Sequence, residues 1–151
     1  MNKKVIYIGA DAAGYALKEQ LKTHLTESGY TVIDCGTDSD ESCHYPVFAS
    51  RVCEAVQASS DGAFGLLVCG TGIGMSMCAN KHRGIRAAVV SDPFSAEMTR
   101  AHNDANVLCL GARVIDADLA KRLTDIFLAT PFDGGRHQVR LDLMRQIENK
   151  N

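Results

Sequence analysis

One stretch of the sequence constrains the fold more than any other, an apolar run that ends at a cysteine and continues into alternating glycines. Residues 63–68 predict a buried strand, and Cys69 follows it. Glycines occupy positions 70, 72 and 74, and a helical pattern begins at about Met75. Alternating glycines allow backbone N–H groups to surround a small anion, and a helix N-terminus adds partial positive charge. The stretch therefore predicts a thiol beside an anion-binding loop at the carboxyl end of a strand, where open α/β sheets bind ligands.

The rest of the chain alternates between strand and helix patterns. Continuous apolar runs predict buried strands, and amphipathic segments between them predict helices. The predicted strands cover residues 4–9, 30–34, 63–69, 85–90 and 107–110, and the helices cover 15–28, 46–58, 73–81, 94–102, 116–128 and about 138–149. This alternation predicts an α/β fold with a five-stranded parallel sheet and helices on both faces.

Length and composition narrow the class of protein. The 151 residues fit one domain, over residues 1–151, and the net charge of -2 gives no indication of nucleic-acid binding. No apolar run approaches the ~20 residues that span a bilayer. The first residues show no signal-peptide pattern, so we expect a cytoplasmic protein without a membrane partner. The last predicted helix has a thin apolar stripe that fits a partner subunit or its own core equally well.

Six cysteines occupy positions 35, 43, 53, 69, 78 and 109. They form no C-x-x-C pair, and no Cys/His spacing matches a zinc site, so we expect no metal. Five of them are best interpreted as small buried hydrophobes in a reducing cytoplasm. Cys69 differs because the glycine loop follows it.

Polar residues near the strand ends are expected to meet at one edge of the sheet. Each has a structural explanation when taken singly, such as a helix cap for Asp11 or a helix-end position for His102. Together, a thiol, an anion loop, a histidine and arginines favour a phosphorylated small molecule as the ligand. The group comprises Asp11, His44, Tyr45, Cys69, Thr71, Arg100, His102, Asn103, Asp104 and Arg113, with a second basic cluster at Arg136, His137 and Arg140.

A thiol in this setting is suited to proton transfer. Backbone N–H groups favour the thiolate form, which can remove a proton next to a carbonyl. The amides of Gly70–Gly74 and the hydroxyl of Thr71 would then stabilise the enediolate oxygen. His102 would move a proton on a sugar ring oxygen, since imidazoles exchange protons near neutral pH. These roles lead to the hypothesis of a metal-independent aldose–ketose isomerase.

The motifs that carry these residues resemble those of the ribose-5-phosphate isomerase B family, which includes the galactose-6-phosphate isomerase subunits. The resemblance covers essentially the whole chain. It rests on Gly9-x-Asp11-x-Ala13-Gly14, Tyr45-Pro46, Cys69-Gly70-Thr71-Gly72-Ile73-Gly74, His102-Asn103-x-x-Asn106-Val107, Gly111-x-Arg113 and Gly134-Gly135-Arg136-His137-Gln138-x-Arg140. It implies a Rossmann-like three-layer sandwich that forms a homodimer or homotetramer, with active sites at the subunit interface and no cofactor.

The resemblance also implies individual roles. Cys69 would shuttle the proton between C1 and C2, with Thr71 and the glycine loop, including Ile73, holding the enediolate. His102, with Asp11 nearby, would open the furanose ring. The substrate would be bound by Tyr45, Gly70, Gly72, Ile73, Gly74, Asn103, Arg113, Arg136, His137 and Arg140. Of these, Arg113, Arg136, His137 and Arg140 would hold the phosphate. The expected reaction converts ribose 5-phosphate to ribulose 5-phosphate.

Three positions bear on these roles. Some family members use a glutamate after the loop in place of the cysteine, but here that position is Met75, so the base is assigned to Cys69. Ala12 stands where the ribose isomerases usually have histidine, and His44 stands where they usually have aspartate. Both changes are similar to those in the galactose-6-phosphate subunits.

These differences leave other readings open. One is the same reaction on a hexose 6-phosphate of galactose or allose type, admitted by the smaller Ala12. Another is a non-catalytic phosphosugar-binding subunit, which the retained Cys69, Thr71 and His102 disfavour. A nucleotide-binding domain is disfavoured because the chain has no diphosphate-binding fingerprint.

Overall fold

A five-stranded sheet forms the centre of the molecule. The structure, a computed structural model, describes residues 3–151; Met1 and Asn2, with which the predicted domain begins, lie outside the described residues. The strands are β1 (Val5–Ala10), β2 (Val32–Asp34), β3 (Ala63–Cys69), β4 (Ala87–Val89) and β5 (Val107–Gly111), all parallel in the order β2-β1-β3-β5-β4. The predicted parallel sheet is confirmed.

Helices cover both faces of this sheet. They are α1 (Tyr15–Glu27), α2 (Tyr45–Ala58), α3 (Ile73–Ala79), α4 (Pro93–Ala101), α5 (Ala117–Ala129) and α6 (Arg136–Asn149). On one face, Leu21 of α1 and Phe127 of α5 pack with Val68 of β3 in a buried cluster. On the other face, Val52 of α2 packs with Leu67 in a second cluster. The three-layer α/β sandwich is therefore confirmed, and alternate side chains of β3 enter the two cores.

The strand order creates a crevice between β1 and β3. These strands are neighbours, with Ala10 opposite Val68 at their carboxyl ends. The chain leaves β1 toward β2 on one side, and it leaves β3 toward β5 and β4 on the other. A crevice forms outside the carboxyl ends of strands where the connections diverge in this way. Asp11 and Cys69 are the residues that enter it from β1 and β3.

Two strands are shorter than predicted because their ends are bonded elsewhere. The N–H of Tyr30 donates to the carbonyl of Leu25 at 3.0 Å, which assigns it to the end of α1 rather than to β2. Ahead of β4, the N–H of Ile85 donates to the carbonyl of His82, and the N–H of Arg86 donates to the side chain of Asn106. These local partners replace the ladder bonds that the apolar pattern predicts.

The last helix is attached to the rest of the chain mainly at its two ends. α6 begins at Arg136, earlier than the predicted 138, and buries His137 and Leu141. Its far end is held by a 3.0 Å hydrogen bond from Arg83 to Asn149. Between these points Val139, Leu143, Met144 and Ile147 are 46–63% exposed. No helix within residues 3–151 has the length and apolar character needed to cross a membrane.

A buried lysine ties the loop after β2 to the sheet. Lys18 of α1 is completely buried, and its Nζ lies 2.6 Å from Oδ2 of Asp34, which Lys22 also contacts at 2.7 Å. The other carboxylate oxygen of Asp34 accepts the N–H of Gly36, whose carbonyl accepts the N–H of Ala10. Burial raises the pKa of Asp34, but the hydrogen bonds from the two lysines and Gly36 outweigh burial and lower it below its usual value.

Candidate active site

Cys69 is held by the loop that follows it. It is the last residue of β3, it is 5% exposed, and its Sγ accepts a 3.1 Å hydrogen bond from the N–H of Gly72. The next N–H, of Ile73, donates to the hydroxyl oxygen of Thr71 at 3.2 Å. The backbone therefore turns back over the thiol, and the N–H contact holds the sulfur in place.

Glycine is required at two close approaches around this loop. Gly72 has φ +79, and a Cβ there would lie 2.9 Å from the backbone carbon of Leu110. A Cβ at Gly111, just beyond in β5, would lie 2.6 Å from the backbone carbonyl of Thr71. The end of β5 thus supports the loop directly, and N–H groups of the next two residues donate to its carbonyls: Ala112 to Cys69 at 2.8 Å and Arg113 to Gly70 at 2.9 Å. These contacts fix the loop beside the thiol.

Three more of the predicted residues lie around the same loop. The ring of Tyr45 is 2.7 Å from the position of a Cβ at Gly74, so the ring lies against the first turn of α3. The side chain of Arg113 lies over Gly70, with its Nη1 3.6 Å from a Cβ placed there. Asp11 accepts the N–H of Gly14 through Oδ1 at 3.1 Å, which satisfies the turn into α1 and leaves Oδ2 without a partner among the described residues. We call Asp11, Tyr45, Cys69–Gly74 and Arg113 the Cys69 cluster.

A second set of predicted residues lies together elsewhere. His102 ends α4, and its ring stacks on that of His137 in the first turn of α6, with centroids 4.1 Å apart and planes at 11°. The carbonyl of Asn103 accepts Nε of Arg86 at 3.1 Å. Arg136 and Arg140 are exposed on the same helix as His137. We call His102, Asn103, Arg136, His137 and Arg140 the histidine group.

The surroundings of His137 favour its neutral form. Burial lowers the pKa of His137 below its usual value, and the charges of His102, Arg136 and Arg140 lower it further. A neutral imidazole has one N–H donor and one acceptor nitrogen. His137 therefore offers directed hydrogen bonding at neutral pH rather than a full positive charge.

The expectation that all these side chains meet at one edge of the sheet is wrong for a single chain. The Cys69 cluster lies at the carboxyl ends of the strands. The histidine group lies at the opposite edge, because α4 starts after β4 and runs back to the amino end of β5. Val107, where β5 begins, pairs with Gly65, and four residues of β3, about 13 Å, separate Gly65 from Cys69. One chain thus carries two half-sites that do not meet.

Two members of the predicted edge group are structural. Arg100 is 8% exposed, and its Nη1 donates to Asp104 Oδ1 at 2.8 Å and to the carbonyl of Ala105 at 2.7 Å. Its guanidinium also lies 5.0 Å from the ring of Phe64. Arg100 and Asp104 therefore hold the turn after α4. Exposed His44 precedes α2 without capping it through its side chain.

Of the other cysteines, Cys53 and Cys109 are buried as expected, whereas Cys35, Cys43 and Cys78 are partly exposed. Burial raises the pKa of Cys53 to about 12 and raises that of Cys109 well above its usual value. Burial also raises the pKa of Cys35. These three thiols stay protonated at neutral pH, so they are unsuited to act as bases.

The sequence analysis missed Asp133 and Lys18. Asp133 lies with His102 and His137, and one ligand atom from each of the three falls within 4.8 Å of the others. A separation of about thirty residues between His102 and Asp133 gave no spacing signal. Lys18 is completely buried in α1, although the helical pattern places this charged residue off the apolar face of Leu17 and Leu21.

Known proteins are similar to this chain over almost its whole length. A family model described as Ribose/Galactose Isomerase matches residues 6–144. Ribose-5-phosphate isomerase B of Escherichia coli is 47% identical over 148 residues, covering 97% of this chain and 98% of that protein. Ribose-5-P isomerase B of Listeria innocua is 45% identical over 146 residues, with coverage of 97% and 98%.

Solved structures agree with this result. Ribose-5-phosphate isomerase B of Clostridium thermocellum has a TM-score of 0.94 at 46% identity, covering 97% of this chain and 98% of that one. The Mycoplasma genitalium protein of the same name, solved with bound ribulose-5-phosphate, has a TM-score of 0.95 at 38% identity and full coverage of both chains.

Proposed function

Because the chain belongs to the ribose/galactose isomerase family, we propose that it interconverts ribose 5-phosphate and ribulose 5-phosphate through an enediolate, with Cys69 as the base. The observation that carries the base assignment is the hydrogen bond from Gly72 N–H to Cys69 Sγ at 3.1 Å. It holds the sulfur in one orientation at the carboxyl end of β3, where this fold class binds ligands.

The proposed proton transfer uses one sulfur for both steps. In the open-chain aldose, the thiolate of Cys69 removes the proton from C2, and the electron pair moves into the C1–C2 bond to give the enediolate. A proton then returns from sulfur to C1, while the proton of the C2 hydroxyl moves to the oxygen of C1. The result is the ketose, with the thiolate restored. Thr71 and the loop amides would stabilise the charge on the enediolate oxygens.

The remaining roles need residues from the histidine group. Opening the furanose requires a proton donor at the ring oxygen, which we assign to His102 with Asp11 nearby, and Asn103 and Tyr45 would contact the sugar. Arg113, Arg136, His137 and Arg140 would bind the phosphate. Since the two half-sites of one chain lie at opposite edges of the sheet, we propose that a complete site combines the Cys69 cluster of one subunit with the histidine group of another.

The exposed side chains of α6 support this arrangement. Val139, Leu143, Met144 and Ile147 form the apolar stripe that the sequence analysis left open between two roles. Their exposure in the single chain favours packing on a partner subunit. The proposed assembly is a homodimer or a dimer of dimers.

Mixing two inactive variants tests the shared site. Cys69→Ala and His102→Asn chains are expected to be nearly inactive alone. After unfolding and refolding as an equal mixture, half of the dimers would be mixed, and each mixed dimer would hold one intact site, giving about a quarter of wild-type activity. Activity equal to the mean of the two variants would contradict a site built from two chains.

Isotope exchange tests the reaction itself. The protein would be incubated with ribose 5-phosphate in D2O, with proton NMR at C2 as the readout. We expect deuterium to enter at C2, because the proton on Cys69 exchanges with solvent. Turnover of ribose 5-phosphate with no dependence on Cys69 would contradict the base assignment, and the absence of both exchange and turnover would contradict the reaction.

We also propose that the protein works in the cytoplasm. A cysteine base must remain a free thiol, and thiols persist in reducing compartments. The six cysteines are all free in the structure. Fractionation of cells that produce the protein would test this location, and recovery with an oxidising compartment would contradict it.

A further inference from the structure

We propose that His102, Asp133 and His137 form a binding site for a divalent transition metal, and that a metal bound there blocks the isomerase reaction. The donor atoms of the three side chains already lie within 4.8 Å of one another. The cluster contains no cysteine, and the carboxylate of Asp133 has no part in the proposed reaction.

The backbone holds the three residues in place. His102 ends α4, and the N–H of Asp133 donates to the carbonyl of Ala101, the preceding residue, at 2.9 Å. The N–H of His137 donates to the carbonyl of Gly134 at 3.1 Å, which closes the turn between Asp133 and α6. Three segments of the chain therefore present the cluster as part of the folded structure.

The donor set suits zinc and its neighbours. Two imidazoles and one carboxylate are ligands that zinc takes in sites with three protein ligands and one open position, with Zn–N distances of about 2.0–2.1 Å. The rings of His102 and His137 are nearly parallel at 4.1 Å, so their nitrogens must approach one another to bind one ion. Metal binding therefore requires the two rings to turn out of their stack.

The charges nearby set the strength of the site. Asp133 offsets part of the charge of the ion, while Arg136 and Arg140 oppose it. We therefore expect reversible binding, weaker than in a structural zinc site.

Inhibition is expected because the metal would occupy the lone pair of an imidazole nitrogen of His102. An imidazole bound to a metal through one nitrogen cannot exchange a proton there, so His102 could not serve the ring oxygen. This part of the inference rests on the proposed function, whereas metal binding does not.

A metal titration with two matched variants tests the site. Zn²⁺ would be titrated into the folded wild-type protein in competition with a chromophoric chelator, and isomerase activity would be followed over the same range. We expect one reversibly bound Zn²⁺ per chain and inhibition over the same concentrations. Asp133→Asn should weaken both by about tenfold or more, since loss of even an outer-shell partner of a metal site typically costs that much. Its activity without metal should equal that of the wild type.

Cys69→Ala is the second variant, because the sulfur of Cys69 is a competing candidate ligand whose loss would also affect activity. It should bind Zn²⁺ as tightly as the wild type. Unchanged affinity in Asp133→Asn, or lost binding in Cys69→Ala, would overturn the inference. Zinc binding without isomerase activity in the wild type would contradict only the proposed function, and isomerase activity without zinc binding would contradict only the metal site.

Discussion

The backbone N–H of Gly72 donates a 3.1 Å hydrogen bond to the sulfur of Cys69, three residues earlier in the chain. A sulfur that accepts this bond in a nearly enclosed position is held in one orientation at the end of β3. The loop therefore orients the thiol at the carboxyl end of the strand.

Removing the thiol should abolish turnover and leave the fold unchanged. Positioned general bases contribute about 10²–10⁴-fold to rates, so Cys69→Ala should lower kcat by at least about a hundredfold. Steady-state kinetics and circular dichroism would measure the two effects. A Cys53→Ala variant, which removes a buried thiol from the same core, should keep its activity. Full activity in Cys69→Ala would contradict the assignment.

Gly72→Ala should damage the site more than the same change at Gly84. Both glycines have similar φ values, +79 and +78, so each substitution costs about 1–2 kcal/mol in backbone strain. At Gly84 no atom lies within 4 Å of the new Cβ, whereas at Gly72 it would collide with the backbone of Leu110. Urea unfolding and kcat would be compared for the pair. Equal losses of kcat would argue that the shape of the loop is unimportant.

His102→Asn should impair a ring-forming substrate more than an open-chain one. Ribose 5-phosphate is mostly a ring, whereas a four-carbon aldose 4-phosphate stays open because its C4 oxygen carries the phosphate. A variant that accepts only the open aldose should therefore lose at least about tenfold more kcat/KM on ribose 5-phosphate than on the four-carbon substrate, in line with the contribution of one acid–base group. Initial rates of the wild type and the variant on both substrates measure this ratio. Equal losses on both substrates would indicate that His102 does not open the ring.

Asp34→Asn should destabilise the protein at neutral pH, because it leaves Lys18 buried without its partner. Breaking a buried ion pair by removing one member costs about 3 kcal/mol. The double variant Lys18→Met/Asp34→Asn should recover much of this loss, since no buried charge remains. Urea unfolding at pH 7 measures the free energy of each. Equal stability of wild type and Asp34→Asn would show that the pair contributes little.

The same carboxylate should make stability depend on acid. Its pKa is lower in the folded chain than in the unfolded chain, so the unfolded chain binds the proton first. The stabilisation is complete above the unfolded pKa of about 4, and it is lost as the pH falls through the folded value. Wild-type stability should therefore fall more steeply than that of Lys18→Met/Asp34→Asn below about pH 4, as followed by urea unfolding. Parallel curves would exclude Asp34 as a source of the acid sensitivity.

The sequence was most informative where one local pattern decides the structure. The apolar run before Cys69 predicted β3, and the alternating glycines predicted the turn over the thiol. The position of His102 could not be predicted in this way, because it depends on the direction in which α4 runs relative to the sheet. A helix that leaves the carboxyl end of β4 must finish at the amino end of β5, but polar residues near strands look alike in sequence at either edge. The stack of His102 on His137 joins segments that no local pattern connects.

The contact between Gly111 and Thr71 has a consequence for the order in which the protein acquires reactivity. The loop around Cys69 takes its shape from a strand that is synthesised well after it, and a nascent chain that stops before β5 lacks Gly111 and therefore lacks this contact. The sulfur of Cys69 thus has no fixed orientation until the sheet is complete. A chain in the course of synthesis or refolding presents an unassembled loop, and Cys69 reaches its enclosed position only in a finished core.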